Sequence, residues 1–273
     1  MKSILIHVDN SRACKARVET AVSLAEKFNA HITALHVVPN YSMPVYAEAS
    51  VGPEIIELIR QAGQESANEA KILYETIEKS TGAKLEWRSV QDDPVNTICE
   101  AARCFDLTIL GQFNPDDPND LNSGLVEHVV PGAGAPCLVV PYIGETVDMA
   151  GTVLIAWNGT REAARAVRDA IPILQMAMRV EILCINPRQG DQENRAGAGA
   201  CANLLHHGIK SKMHRLHNKD ISTGDILLSH AADMSADLLV TGAYGHTRLR
   251  EKILGGVTRH LLEHMTVPVL MSH

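Results

Sequence analysis

Apolar residues arrive along this chain in short, mostly continuous runs. Each run is closed by a polar or glycine-bearing turn, and a stretch with helical spacing follows. Residues 4–8, 32–38, 107–110 and 137–140 form such runs, and residues 153–156, 182–185, 238–240 and 267–271 form a second set. The runs are rich in Ile, Val and Leu and lack the apolar–polar alternation of a half-exposed strand, as expected where both faces of a parallel sheet are covered. Between them, Val18, Ala21, Val22, Ala25 and Phe28 recur on one helical stripe, and Asn29 stands where that helix should stop. A longer helix is predicted over residues 54–78, with Ile55, Ile59, Ala62, Leu73 and Ile77 as its apolar face. Residues 40–53 read as a loose flap before it. Residues 188–200 are polar and rich in Gly and Ala, and leave the start of their helix undefined.

The two sets of runs are copies of one pattern. Asp9-Asn10-Ser11-Arg12 follows the first strand as Asn158-Gly159-Thr160-Arg161 follows its counterpart. Asp106-Leu107-Thr108-Ile109-Leu110-Gly111 parallels Asp237-Leu238-Leu239-Val240-Thr241-Gly242, and Pro136 parallels Pro268. Repetition in the same order over both halves marks a duplicated unit. The expected domains are residues 1–143 and 151–273, joined by a linker over 142–151. Each half reads as strands alternating with helices, so the fold class is α/β: two tandem, doubly wound, five-stranded parallel sheets.

Composition narrows the function. The 273 residues are 45% hydrophobic and 21% charged, ordinary for a globular chain. A net charge of −7 argues against a broad grip on nucleic acid. The six cysteines are scattered without a CxxC pair, which reads as buried thiols in a reducing compartment. Residues 1–8 run straight into a strand with no signal peptide, and no apolar run approaches membrane-spanning length. A soluble cytoplasmic protein without a membrane partner is expected.

The segment richest in chemistry is Gly242-Ala243-Tyr244-Gly245, nine further residues, then Gly255-Gly256-Val257-Thr258, with a helix predicted over 257–263. Ligands of open α/β sheets sit beyond the carboxyl ends of the strands. Glycines there let backbone N–H groups approach a phosphate, and a helix N-terminus adds free donors and partial positive charge. The first half lacks this cradle: Asn114 and Leu125 replace glycine positions around Gly111 and Gly124, and Asp116, Asp117 and Asp120 lie between. Those three carboxylates would repel a triphosphate.

Together, the glycine segment and the repeat resemble the tandem bacterial members of the universal stress protein family, whose nucleotide signature is G-x2-G-x9-G followed by Ser or Thr. The resemblance implies the adenine nucleotide alpha hydrolase-like fold with strand order 3-2-1-4-5. It implies an adenine nucleotide (ATP, ADP or AMP) bound in the C-terminal copy for stress adaptation, with ATP hydrolysis at most slow. It places the ligand on Ala156, Trp157, Asn158, Ile185, Thr241, Gly242, Gly245, His246, Gly255, Gly256, Val257 and Thr258. Two positions depart from the family. Asn158 stands where ligand-binding members carry Asp, and Gly256 where they carry a hydroxyl, whose loss costs roughly 0.5–1.5 kcal/mol. Gly245→Val is expected to abolish binding while sparing the fold.

Two other readings compete: an interaction scaffold without nucleotide, and a metal- or metabolite-binding protein. Among thirteen histidines, His7 and His36 should lie on neighbouring strands near Asp9, a conceivable zinc set. No nucleophile elbow or P-loop is present, so no catalytic residue is assigned. The last strand of each half, 137–140 and 269–271, would end as an open edge. The two are expected to pair within the chain as an intramolecular pseudo-dimer, leaving other surfaces for any further homodimer.

Overall fold

The strands of the first half are β1 (Ser3–His7), β2 (His31–Pro39), β3 (Leu85–Asp92), β4 (Leu107–Gly111) and β5 (Cys137–Val140). Those of the second are β6 (Thr152–Ala156), β7 (Arg179–Ile185), β8 (Ser211–Leu216), β9 (Leu238–Gly242) and β10 (Val269–Ser272). The helices are α1 (Cys14–Phe28), α2 (Pro53–Thr81), α3 (Pro94–Ala102), α4 (Leu125–Gly132), α5 (Arg161–Leu174), α6 (Ala198–His206), α7 (Thr223–Asp233) and α8 (Gly256–His264). The computed structural model describes residues 1–39, 53–81, 85–144, 149–187, 197–245 and 255–273, with the backbone alone at 53, 56, 59, 77, 80 and 81. The expected flap over 40–53 except its last residue, most of 188–200 and the middle of the linker lie outside the described residues.

Each half has the strand order 3-2-1-4-5, with every pairing inside a half parallel. The two sheets do not stay separate. β5 and β10 pair antiparallel, Val139 opposite Val269 and Cys137 opposite Met271, and fuse them into one ten-stranded sheet. The pairing expected of the two last strands is therefore present. It removes both inner edges and leaves only β3 and β8 at the rims. β3 carries Glu86, Arg88 and Asp92 on its largely exposed length, charges that discourage edge-to-edge association.

Side chains alternate between two cores. Ile4, Ile6, Val153 and Ile155 pack on one face, under α1, α2, α5 and α6. Leu5, Leu154, Val139 and Val269 pack on the other, with α3, α4, α7 and α8. Both cores run through both halves, which accounts for the apolar runs. α1 buries Val18, Ala21, Val22 and Ala25 as its spacing predicts, and Asn29 ends it in the left-handed conformation at φ 48°. Four cysteines are buried, Cys201 is half-buried and Cys104 is exposed; all six are free thiols.

The apolar face assigned to α2 needs correction. Ile55 is 50% exposed and Ala62 is exposed, while the buried residues are Ala70 and Tyr74, with Leu73 packed beside them. The seat is polar as well as apolar. The Tyr74 hydroxyl donates to the Leu85 carbonyl, and the ring lies 5.1 Å from Trp87. The side chains of Ile59 and Ile77 lie outside the described residues. Among the described residues, no helix is long and apolar enough to cross a membrane.

Candidate functional site

The residues singled out in the C-terminal copy lie at the carboxyl ends of three adjacent strands and at the start of one helix. Ala156 ends β6, in register with Leu183 of β7 and Thr241 of β9. Trp157 extends β6 by donating its N–H to the Leu183 carbonyl at 2.9 Å. Ile185 ends β7, while Thr241 and Gly242 end β9. Gly255 precedes α8, and Gly256, Val257 and Thr258 form its first turn. His246 lies outside the described residues.

Asn158 keeps the turn that its repeat partner Asp9 makes. Its Oδ1 accepts from the Thr160 N–H at 3.1 Å and the Thr160 hydroxyl at 2.8 Å, as Asp9 Oδ1 accepts from the Ser11 N–H at 3.0 Å. What remains of the exposed Asn158 side chain is its NH2, a donor where Asp would offer a second acceptor. Thr160 then caps α5 by accepting from the Ala163 N–H.

The two turn glycines have distinct causes. A Cβ on Gly242 would stand 2.4 Å from the Ala163 backbone nitrogen, so the close approach of α5 to β9 requires glycine there. A Cβ on Gly245 would lie 3.2 Å from Glu162 Oε2 and 3.3 Å from Thr160 Oγ1. The expectation that valine at Gly245 would spare the fold is thus revised, because a branched side chain there meets the capped start of α5. Glu162 is buried. Burial works against its charge, but hydrogen bonds from Arg161, its own N–H and Thr160 hold the carboxyl below its usual range. At the far end of the segment, Gly255 makes no side-chain cap, and a Cβ on Gly256 would meet no atom within 4 Å among the described residues. The first N–H groups of α8 have no side-chain acceptor among the described residues. Thr258 is buried and Val257 is partly exposed.

The matching region of the N-terminal copy is filled by the chain itself. Arg17 is buried, and its Nη2 sits 2.7 Å from Asp9 Oδ1, a charge contact without hydrogen-bond alignment. Its Nη1 lies where a Gly111 Cβ would stand, 2.1 Å away. Asn122 donates to Asp9 Oδ2 at 2.8 Å. The acidic segment folds onto this cluster: Asp117 accepts from the Arg12 N–H at 2.7 Å, and Asp120 from the Asn114 N–H at 2.9 Å. Both carboxylates are buried and bonded to backbone donors, so the segment covers the pocket as well as charging it. Burial opposes the charge on Asp9, but Arg17, His7 and the Ser11 hydroxyl hold its carboxyl far below the usual range.

The zinc alternative is not supported by this geometry. Among the described residues, no group of three His, Cys, Asp or Glu side chains is placed to hold a metal ion. His36 Nδ1 bonds the Val8 carbonyl at 2.8 Å, and its ring stacks on Trp87. His7 Nδ1 is 3.8 Å from Asp9, whose carboxylate is taken by Arg17 and Asn122. Burial lowers His7 to about 4 and lowers His36 as well, so both are neutral packing residues at neutral pH.

Several contacts escaped the sequence reading. Arg17 lies on the buried stripe of α1 between Cys14 and Ala21, and a charged residue at such a position is the available signal of an internal carboxylate partner. The Asn186 side chain bonds the Asn218 backbone twice, donating from Nδ2 to its carbonyl at 2.6 Å and accepting from its N–H at 2.9 Å, and ties off β7 and β8. Tyr244 takes φ 62°, and its hydroxyl donates across the halves to the Glu127 carbonyl at 2.7 Å. No local pattern announces the last two.

The universal stress protein family model matches residues 1–141 and matches again over 149–273. The chain belongs to the universal stress protein family. It is 23% identical to a universal stress protein of Synechocystis sp. over 99% of both chains. A universal stress protein of Methanocaldococcus jannaschii is 28% identical over 51% of this chain and 81% of its own. The crystal structure of a universal stress protein from Archaeoglobus fulgidus superposes with a TM-score of 0.75 at 16% identity, covering 99% of this chain and 97% of that one. That likeness shows the tandem family fold. Within it, the two copies differ at the turn after their first strand: Asp9 is paired with Arg17, while the Asn158 side chain is exposed.

Proposed function

We propose that this universal stress protein binds one adenine nucleotide (ATP, ADP or AMP) per chain, in its C-terminal copy. The observation that carries the reading is the start of α8 at Gly255 and Gly256, which has no side-chain cap among the described residues, in the same copy as the polar turn at Asn158 that follows β6. Free helix N–H groups suit phosphate, and the Asn158 amide suits a ribose hydroxyl as acceptor. α4 of the N-terminal copy also starts without a side-chain cap, at Gly124, but there Arg17 and Asn122 occupy the carboxylate of the matching turn. Titration calorimetry with ATP, ADP and AMP tests this, with a stoichiometry near one expected. Two equivalent sites, or no heat with any of the three, would reject it.

One observation favours an interaction scaffold as the second reading. Ile55, Leu58 and Ile72 are each at least half exposed and fall on one side of α2 at the helical period. A chain that bound no nucleotide but was captured through this face would support that reading instead.

A further inference from the structure

A groove of about 360 Å³ opens between the two halves, away from the glycine segment. The N-terminal half contributes Arg103, just past α3, together with Asp106 and Pro136; the C-terminal half contributes Arg165, Arg168 and Asp169 from α5. The charges in it are unequally committed. Asp106 accepts the backbone N–H groups of Lys2 at 2.5 Å and Ser3 at 3.0 Å. Asp169 is held by Arg165 Nε at 2.8 Å. Arg103 and Arg168 are exposed, and neither makes an ion pair or side-chain hydrogen bond among the described residues. Two guanidinium groups, one from each half, thus line one concave space with their donors unused.

The duplicated fold does not demand this. Aligned through Asp106 with Asp237 and Arg12 with Arg161, the repeat partner of Arg103 is Met234, that of Arg165 is Ala16, and that of Arg168 is Glu19. The related positions carry none of the three arginines. In a chain whose net charge is −7, the basic groove is a local feature of one side. Planar guanidinium forks match the oxygens of a polyvalent oxyanion better than they match water or a single carboxylate.

We propose that this groove is a second ligand site, for a compact phosphate or diphosphate anion bridging Arg103 and Arg168, independent of the nucleotide site in the C-terminal copy. The test is calorimetry on the full chain with inorganic pyrophosphate, and in parallel with ribose 5-phosphate to separate a free from a sugar-borne phosphate. Saturable pyrophosphate binding is expected. It should weaken roughly tenfold or more in Arg103→Gln/Arg168→Gln, since charge-assisted hydrogen bonds are lost. Arg168→Glu, which copies the repeat partner, should abolish it. Both arginines are exposed, so unliganded melting should not move, and ATP binding should persist. Ribose 5-phosphate binding that is lost in the same variants would support the site with a sugar-borne ligand. Absence of binding by either probe, or pyrophosphate binding unchanged in both variants, overturns the proposal.

Discussion

Val139 stands opposite Val269 in the antiparallel seam, both without solvent exposure, and this pair joins the sheets of the two halves. Leu138 and Leu270 flank it on one face, Cys137 and Met271 on the other. Val139→Asp places an unpaired carboxylate inside both a ladder and a core. It should destabilise the chain by about 3 kcal/mol or more. Urea unfolding measures the loss, and scattering should show the halves loosened. A variant as stable and compact as the parent would mean that the seam contributes little.

Substitutions in the glycine segment should separate packing from binding. Gly256→Ser meets no atom within 4 Å among the described residues and restores a hydroxyl at the start of α8. Nucleotide affinity should rise by roughly 0.5–1.5 kcal/mol, the worth of one hydrogen bond. Gly245→Val should weaken binding and also lower the melting temperature, because its side chain meets Thr160 and Glu162. If Gly256→Ser weakens binding, the helix start is not where phosphate sits.

Acid should destabilise the N-terminal copy through His7. Its folded pKa is lowered by burial from 6.5 to about 4, so the unfolded chain takes the proton first. The stability tied to its neutral form is complete above pH 6.5 and is lost as pH falls towards 4, roughly 3 kcal/mol in all. His36, lowered in the same direction, adds to the slope. Asp9, held below its usual range, acts only in stronger acid, where protonation breaks its pair with Arg17. Unfolding free energies at pH 7, 5.5 and 4.5 should converge for parent and His7→Gln as pH falls. Parallel slopes would assign the acid sensitivity elsewhere.

Tyr244→Phe removes the hydroxyl that reaches Glu127 across the halves. This partly buried hydrogen bond is worth about 1 kcal/mol in unfolding experiments by typical values. A melting temperature identical to the parent's would show that water replaces the bond without cost.

The sheet was legible because its strands are buried on both faces, and burial writes Ile, Val and Leu runs such as 4–6 and 153–155 into the sequence. The seam could be anticipated because an edge strand as apolar as 137–140 needs a partner. The face of α2 was misread because helical period names a stripe without saying how much of a long helix rests on the sheet; Ala70 and Tyr74 do, Ile55 does not. The fill of the N-terminal pocket was hidden for another reason. Asn122 and Asp9 are 113 positions apart, and only the fold brings them together.

The antiparallel seam also sets the direction in which each copy works. Strand direction reverses between β5 and β10, so the carboxyl ends of β1 and β4 open on one rim of the sheet and those of β6 and β9 on the opposite rim. The sealed pocket around Asp9 and the helix start at Gly256 therefore look outward back to back. No single small molecule can span them, and whatever docks over one mouth leaves the other unobstructed. Duplication in this chain has produced a two-sided object, whose two copies face opposite directions.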